Sequence, residues 1–180
     1  MKNRRDKNIV LIIHNVRSAH NVGALFRTAD GAGVAKIFLT GYTPHPYAPE
    51  KSISGGRRQH IFITKAEKEL AKTALGAEES MEWTSAISLN KVIAALREKK
   101  YTIVGLEQSI KSTNYRRYVP VSSVALIVGN EVRGLDRRVL KECDVILEIP
   151  MHGQKNSLNV AVATGIALYQ IASTIDNIKE

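Results

Sequence analysis

Three short segments of this chain set polar side chains at the ends of apolar runs, where a side chain can act on a ligand. The first runs Asn21-Val22-Gly23-Ala24-Leu25-Phe26-Arg27. Gly23 and Arg27 are four apart and share one face of a helix. A glycine there leaves room for another backbone or a ligand, and the guanidinium fork suits a phosphate or a carboxylate. The plainer reading makes Asn21 a helix cap and Arg27 a solvated side chain. The second segment is Val128-Gly129-Asn130-Glu131-Val132-Arg133-Gly134-Leu135. Gly129 would let the backbone approach a flat ligand; the alternative is a tight turn with an exposed Glu131. The third is Ile149-Pro150-Met151 through Asn156-Ser157-Leu158-Asn159. Ser157 and Asn156 suit a cap, whereas Asn159, inside an apolar helix, needs a partner if it is buried.

These groups must be held by the elements around them. Ile9 to Ile13 reads as a buried parallel strand, and Asn21 to about Gly31 as a helix with Val22, Leu25, Phe26 and Ala29 on one face. Val34 to Thr40 reads as a second strand, and residues 41–60 as a long loop. Residues 64–85 show no clean period. Leu89 to Lys99 reads as a helix, Tyr101 to Leu106 and Val124 to Val128 as strands, and Asp136 to Glu142 as a short helix. Val145 to Ile149 is a strand stopped by Pro150, and Leu158 to Ile175 a helix opening on Ser157 and Asn159. That last helix is apolar on nearly every face and must be covered on more than one side. Strands alternating with helices predict an α/β fold, a mainly parallel sheet with helices on both faces. With 180 residues and no linker, one domain over 1–180 is expected, residues 1–8 forming a basic, flexible arm.

The net charge of +9 fits a polyanionic partner, of which nucleic acid is the commonest. The basic residues gather in the arm (Arg4, Arg5), near Arg17, in a mid-chain loop (Lys51, Arg57, Arg58) and at Lys111, Arg116 and Arg117. Arg4, Arg5, Arg17, Lys51, Arg57 and Arg58 are the expected nucleic-acid contacts. No stretch is long and apolar enough to span a bilayer, and there is no signal-peptide pattern, so a cytoplasmic protein without a membrane partner is expected. The single Cys143 excludes an internal disulfide, and its apolar neighbours suggest an inert thiol. His14, His20, His45, His60 and His152 have no metal spacing, so no metal is expected. Nucleotide-binding glycine fingerprints and the G-x-S-x-G elbow are absent, which argues against a dinucleotide oxidoreductase or a serine hydrolase. Tyr42, Tyr47, Tyr115 and Tyr118 lie near the basic loops, where rings could stack on bases.

Together the segments resemble the SpoU (TrmH-like) family of RNA 2'-O-ribose methyltransferases, in the SPOUT class. N-x-G-A-x-x-R-T-A stands at 21–29, V-G-N-E-x-x-G-L at 128–135, and I-P-M, five residues, then S-L-N-V-A-V-A at 149–163. Thr73 to Glu78 also looks like a stretch of bacterial members. The resemblance implies a C-terminal trefoil knot, S-adenosylmethionine held in the knot loops, and a homodimer through the last helix and the knot region. It also implies catalytic roles for Asn21, Arg27, Glu131, Ser157 and Asn159. The cofactor would be lined by Leu106, Gly129, Ile149, Met151, Ser157 and Leu158. Family members often carry proline or glycine before the first asparagine, where this chain has Ala19-His20, so an altered turn into the helix is expected. The substrate implied is tRNA or rRNA, leaning to tRNA because no separate RNA-binding domain is evident. An RNA-binding protein without catalysis, or a base methyltransferase of the same class, is the alternative.

Overall fold

The computed structural model describes residues 8–48 and 63–177. Among these residues seven strands form one sheet: β1 (Ile9–His14), β2 (Lys36–Thr40), β3 (Trp83–Ala86), β4 (Thr102–Leu106), β5 (Thr113–Asn114), β6 (Val124–Val128) and β7 (Val145–Glu148). Every pairing is parallel, and the order is β3-β2-β1-β6-β4-β7-β5. The helices are α1 (Ala19–Gly31), α2 (Lys65–Ala74), α3 (Ala77–Ser80), α4 (Leu89–Glu98), α5 (Arg137–Lys141) and α6 (Val160–Asn177).

The central strands are apolar throughout because both faces of the sheet are covered. Ile9, Leu11 and Ile13 of β1 point into one core with Val22, Leu25 and Phe26 of α1, Leu70 of α2, and Leu168 and Ile171 of α6. Val10 and Ile12 point the other way, onto Leu89, Val92, Ile93 and Leu96 of α4 and Val139 of α5. The period of two in β1 thus divides the molecule into three layers. α1 and α2 cross closely at Gly23, where a Cβ would collide with the Leu70 carbonyl and Thr73 Oγ1. The space beside Gly23 therefore belongs to a second helix and not to a ligand.

α1 begins earlier than expected. Ser18 is its N-cap, with Oγ accepting from Asn21 N at 3.3 Å. Asn21 is therefore a first-turn residue whose side chain is free for other work. Ala19-His20 forms a regular helical start. Residues 64–85, which lack a clean period, fold as α2, α3 and β3. A reciprocal capping box starts α2: Glu67 N donates to Thr64 Oγ1, and Thr64 N donates to Glu67 Oε2 at 2.7 Å. α6 opens at Val160, two residues later than expected. Its cap is Asn159, which accepts from Ala161 N at 2.8 Å, in place of Ser157 or Asn156.

β7 lies between β4 and β5, so the chain joining those two strands must cross the carboxyl end of β7. Residues 107–112 make that crossing. Glu107 N donates to Leu147 O at 2.9 Å, and Ser112 Oγ donates to Glu148 at 2.6 Å. The segment leaving β7 runs beside this strap, and Gln108 Nε2 donates to Asn156 O at 2.8 Å.

Candidate active site

β1 and β6 are neighbours, but their onward connections leave in opposite directions, toward β2 and toward β7. A doubly wound sheet opens a crevice at such a point, outside the carboxyl ends of its strands. All three polar segments arrive there. The turn after β1 starts α1, the 129–134 loop follows β6, and the 149–159 segment follows β7.

Glu131 ties these segments together. Its Oε1 accepts from Ser18 N at 3.0 Å and from Asn21 Nδ2 at 3.0 Å, and its Oε2 accepts from Arg17 N at 3.1 Å. A carboxylate only accepts, so Asn21 must turn its NH2 toward Glu131 and its oxygen away. That oxygen accepts from Asn159 Nδ2 at 3.1 Å, and Asn159 Oδ1 is then left to cap α6. One carboxylate thus sets the orientation of two amides and the start of a helix. Each amide keeps one N–H without a partner among the described residues. Partial burial pushes the Glu131 pKa up, but hydrogen bonds from Ser18, Asn21, its own backbone and Arg17 outweigh this and hold it below the ordinary value. Glu131 is an ionised anchor, too weak a base to take a hydroxyl proton.

Beside this chain of hydrogen bonds lies a cleft of about 260 Å³. Leu106, Gly129, Ile149, Met151, Ser157 and Leu158 all line it. Glu131, Asn130, Asn156 and Val160 do so as well, as do three residues that sequence reasoning missed: Glu107, Gln108 and Glu148. Their signal was positional, since each sits at or just past the carboxyl end of a strand at the crevice. Among the described residues three carboxylates line the cleft and no Lys, Arg or His does. Glu107 is fixed there by Leu135 N at 2.8 Å and Gln108 N at 2.9 Å. The φ of +63° at Gly134 and the closeness of its Cα to the Glu107 carboxylate demand glycine. At Gly129 the space freed by the missing Cβ is filled by the Gly134 carbonyl, which closes the loop onto itself, while the Gly129 backbone faces the cleft.

The structure therefore joins Asn21, Glu131 and Asn159 directly. Ser157 is exposed, lines the cleft and makes no hydrogen bond among the described residues. Arg27 does not line the cleft. It is exposed in a separate groove with Ala24, Thr28, Lys72, Thr73, Leu75 and Tyr169, which among the described residues holds two cations and no carboxylate. Arg17 stands at the mouth, its backbone on Glu131. Arg4, Arg5, Lys51, Arg57 and Arg58 lie outside the described residues. Cys143 is half-buried, and burial raises its pKa to about 11, which keeps the thiol protonated. Among the described residues no three His, Cys, Asp or Glu side chains gather as a metal site, and no helix is long and apolar enough to cross a membrane.

The family model for the SpoU rRNA methylase family matches residues 56–169. A protein of Staphylococcus aureus strain MSSA476, assigned to the TrmH family of tRNA/rRNA methyltransferases, is 29% identical over 170 residues, covering 94% of this chain and 60% of the relative. The counterpart in strain COL is 30% identical over 162 residues, covering 90% of this chain and 57% of its own. The chain thus spans about 60% of the length of these relatives. Among solved structures, the SpoU methyltransferase AviRb of Streptomyces viridochromogenes matches with a TM-score of 0.78 at 20% identity, over 96% of this chain and 62% of that one. An AdoMet-bound rRNA methyltransferase of Sinorhizobium meliloti matches with a TM-score of 0.76 at 26% identity, over 93% and 57%. The sheet, the strap across β7 and the returning α6 are those of the knotted α/β fold these structures share. The chain is a member of the SpoU rRNA methylase family.

Proposed function

We propose that this protein transfers a methyl group from S-adenosylmethionine to a ribose 2'-hydroxyl of tRNA or rRNA. The observation that carries the reading is the convergence of Asn21, Glu131 and Asn159 beside a cleft lined by all six expected cofactor positions. The cleft suits the cofactor chemically. Leu106, Val128, Ile149 and Leu158 offer apolar walls for an adenine, and three carboxylates with no cation facing them among the described residues favour a ligand bearing sulfonium and ammonium charges. S-adenosylmethionine supplies a methyl group on positively charged sulfur, which needs no activation by the protein. What remains for the chain is to bind, orient and exclude.

The remaining N–H groups of Asn21 and Asn159, unpartnered among the described residues, are assigned to the ribose oxygens beside the cleft. Ser157 is available there as a further hydroxyl partner. We assign Arg27 to a phosphate and not to proton transfer, because its guanidinium fork matches phosphate oxygens. From its separate groove it grips a phosphate of the bound RNA, and the 2'-hydroxyl proton is lost to solvent. Arg17, Lys51, Arg57, Arg58 and the basic arm with Arg4 and Arg5 extend the contact along the RNA. A homodimer through α6 and the knot region covers the outward side of α6, where Val162 and Tyr169 are 53% and 56% exposed.

The test uses the methyl-labelled cofactor with purified tRNA and rRNA. Label is expected in nucleotides that resist alkaline cleavage, because a 2'-O-methyl group removes the attacking hydroxyl. Label in a base, or no transfer to any RNA by a protein that binds both partners, overturns the reading.

A further inference from the structure

Among the described residues two aromatic rings are strongly exposed, Tyr169 on α6 and Tyr42 just past β2. Tyr42 is 57% exposed yet held at both ends. Its N–H donates to Asn15 Oδ1 at 3.2 Å, and its hydroxyl oxygen accepts from Asn130 Nδ2 at 3.1 Å. Asn130 has no freedom to let go. Its Oδ1 takes Val132 N at 3.0 Å and Arg133 N at 2.9 Å, so its NH2 must face Tyr42 and the Asn15 carbonyl. Asn15 is itself fixed, in the left-handed region at φ +57° and bonded to His14.

Holding a ring still without burying it costs conformational entropy and gains little from water exclusion. Such a ring is preorganised for something that arrives later. The position narrows what that is. Asn130 lines the cofactor cleft and donates to the Tyr42 hydroxyl, so the ring stands one residue away from the cleft lining. Arg17 is exposed nearby, where the turn after β1 meets Glu131. A flat, sequence-tolerant π surface next to a cation at the mouth of the site suits an unstacked nucleobase.

We propose that Tyr42 is a stacking platform for a base of the bound RNA, flanking the ribose presented to the cleft; this rests on the reading of the site as RNA-methylating. Asn130 then links the two partners physically, with one atom shaping the cofactor loop and the other aiming the platform.

Four measurements test it, with whichever of the tRNA and rRNA fractions the wild type labels most. Tyr42→Ala is expected to raise the KM for RNA about tenfold or more, with cofactor affinity and kcat little changed. Tyr42→Phe loses the hydroxyl but keeps the ring, and is expected to stay within about threefold of wild type. Trp83 is buried, so in Tyr42→Trp added RNA should quench fluorescence beyond the wild-type change, a readout independent of turnover. Sedimentation should show the same assembly state for Tyr42→Ala as for wild type. An unchanged KM in Tyr42→Ala overturns the platform. So does a Tyr42→Phe as damaged as Tyr42→Ala, which makes the Asn130 hydrogen bond the whole role. Dissociation of Tyr42→Ala into monomers overturns it too, because the ring's partner is then a second copy. Absence of methyl transfer by the wild type would sink the enzymatic reading alone, and the quenching in Tyr42→Trp would still decide the platform.

Discussion

Glu131 carries no proton in the proposed reaction, yet the site depends on it. Glu131→Gln keeps the shape but puts an NH2 where one of Arg17 N, Ser18 N and Asn21 Nδ2 must donate. Asn21 then has no reason to face one way, and Asn159 loses its cue. A misplacement of about 1 Å can cost about 100-fold in rate, and a fall of that order in kcat is expected. Tritium transfer at saturating RNA and cofactor measures it. Arg27 separates differently. It lies outside the cleft, so Arg27→Ala should abolish transfer while calorimetry finds cofactor binding intact. Arg27→Lys keeps charge without the fork, and substantial residual activity there means that charge alone suffices. His14 gives a pH signature. Burial lowers its pKa and outweighs the opposing charge of Asp136, so the fold prefers the neutral ring. That contribution is present above the unfolded value of 6.5 and is lost as pH falls through the folded one. The urea midpoint should therefore drop between pH 7 and pH 5, and less so in His14→Gln. The residue types of this site were legible in the sequence, because motif spacing reports which groups a ligand needs. Their mutual orientation was not, since amide direction follows from contacts more than 100 residues apart, Asn21 with Glu131 and with Asn159.

At the scale of elements, the approach of α1 to α2 is a close backbone constraint on the fold around the site. A Cβ at residue 23 meets the Leu70 carbonyl and Thr73 Oγ1, and Ala74 N lies 3.0 Å away. Thr73 can rotate, at the loss of its hydrogen bond to His20 O, but the backbone of α2 cannot yield without moving the helix. Gly23→Ala is expected to cost about 1–3 kcal/mol, read from the urea midpoint. Because α1 carries both Asn21 and Arg27, residual activity should fall by more than the unfolded fraction explains. The strands were legible because a buried parallel sheet writes continuous apolar runs, and β6 follows its run residue for residue. α2 was not, because its inward row is short and built partly from small or polar residues, Glu67, Leu70 and Ala74. Its capping box, Thr64 with Glu67, was the readable signal. β5 has two residues and owes its existence to the crossing over β7, which no local pattern encodes.

For the whole molecule, the decisive question is what covers the outer side of α6. The helix has two opposed faces. Thr164, Leu168, Ile171 and Ile175 turn into the core, and Val162, Tyr169 and Ser173 turn out, with Ile166 beside them. A helix of this composition lying alone on a surface would show polar residues outward. Its apolar outer face suits an isologous contact with a second copy, in which each α6 packs on the other about a two-fold axis. Such an interface must bury at least about 1,000 Å² to hold, and α6 alone is too small, so neighbouring loops of the knot region must join it. Sedimentation velocity at micromolar concentration should give twice the chain mass of 19.9 kDa. Val162→Lys is the informative variant. The side chain is 53% exposed in the protomer, so the charge costs the isolated fold little, but it would sit desolvated in the proposed contact. The expected result is a folded monomer by circular dichroism, with transfer activity lost to the extent that the site needs its partner. A wild type that sediments as a monomer, or a Val162→Lys protein that remains dimeric, removes α6 from the interface.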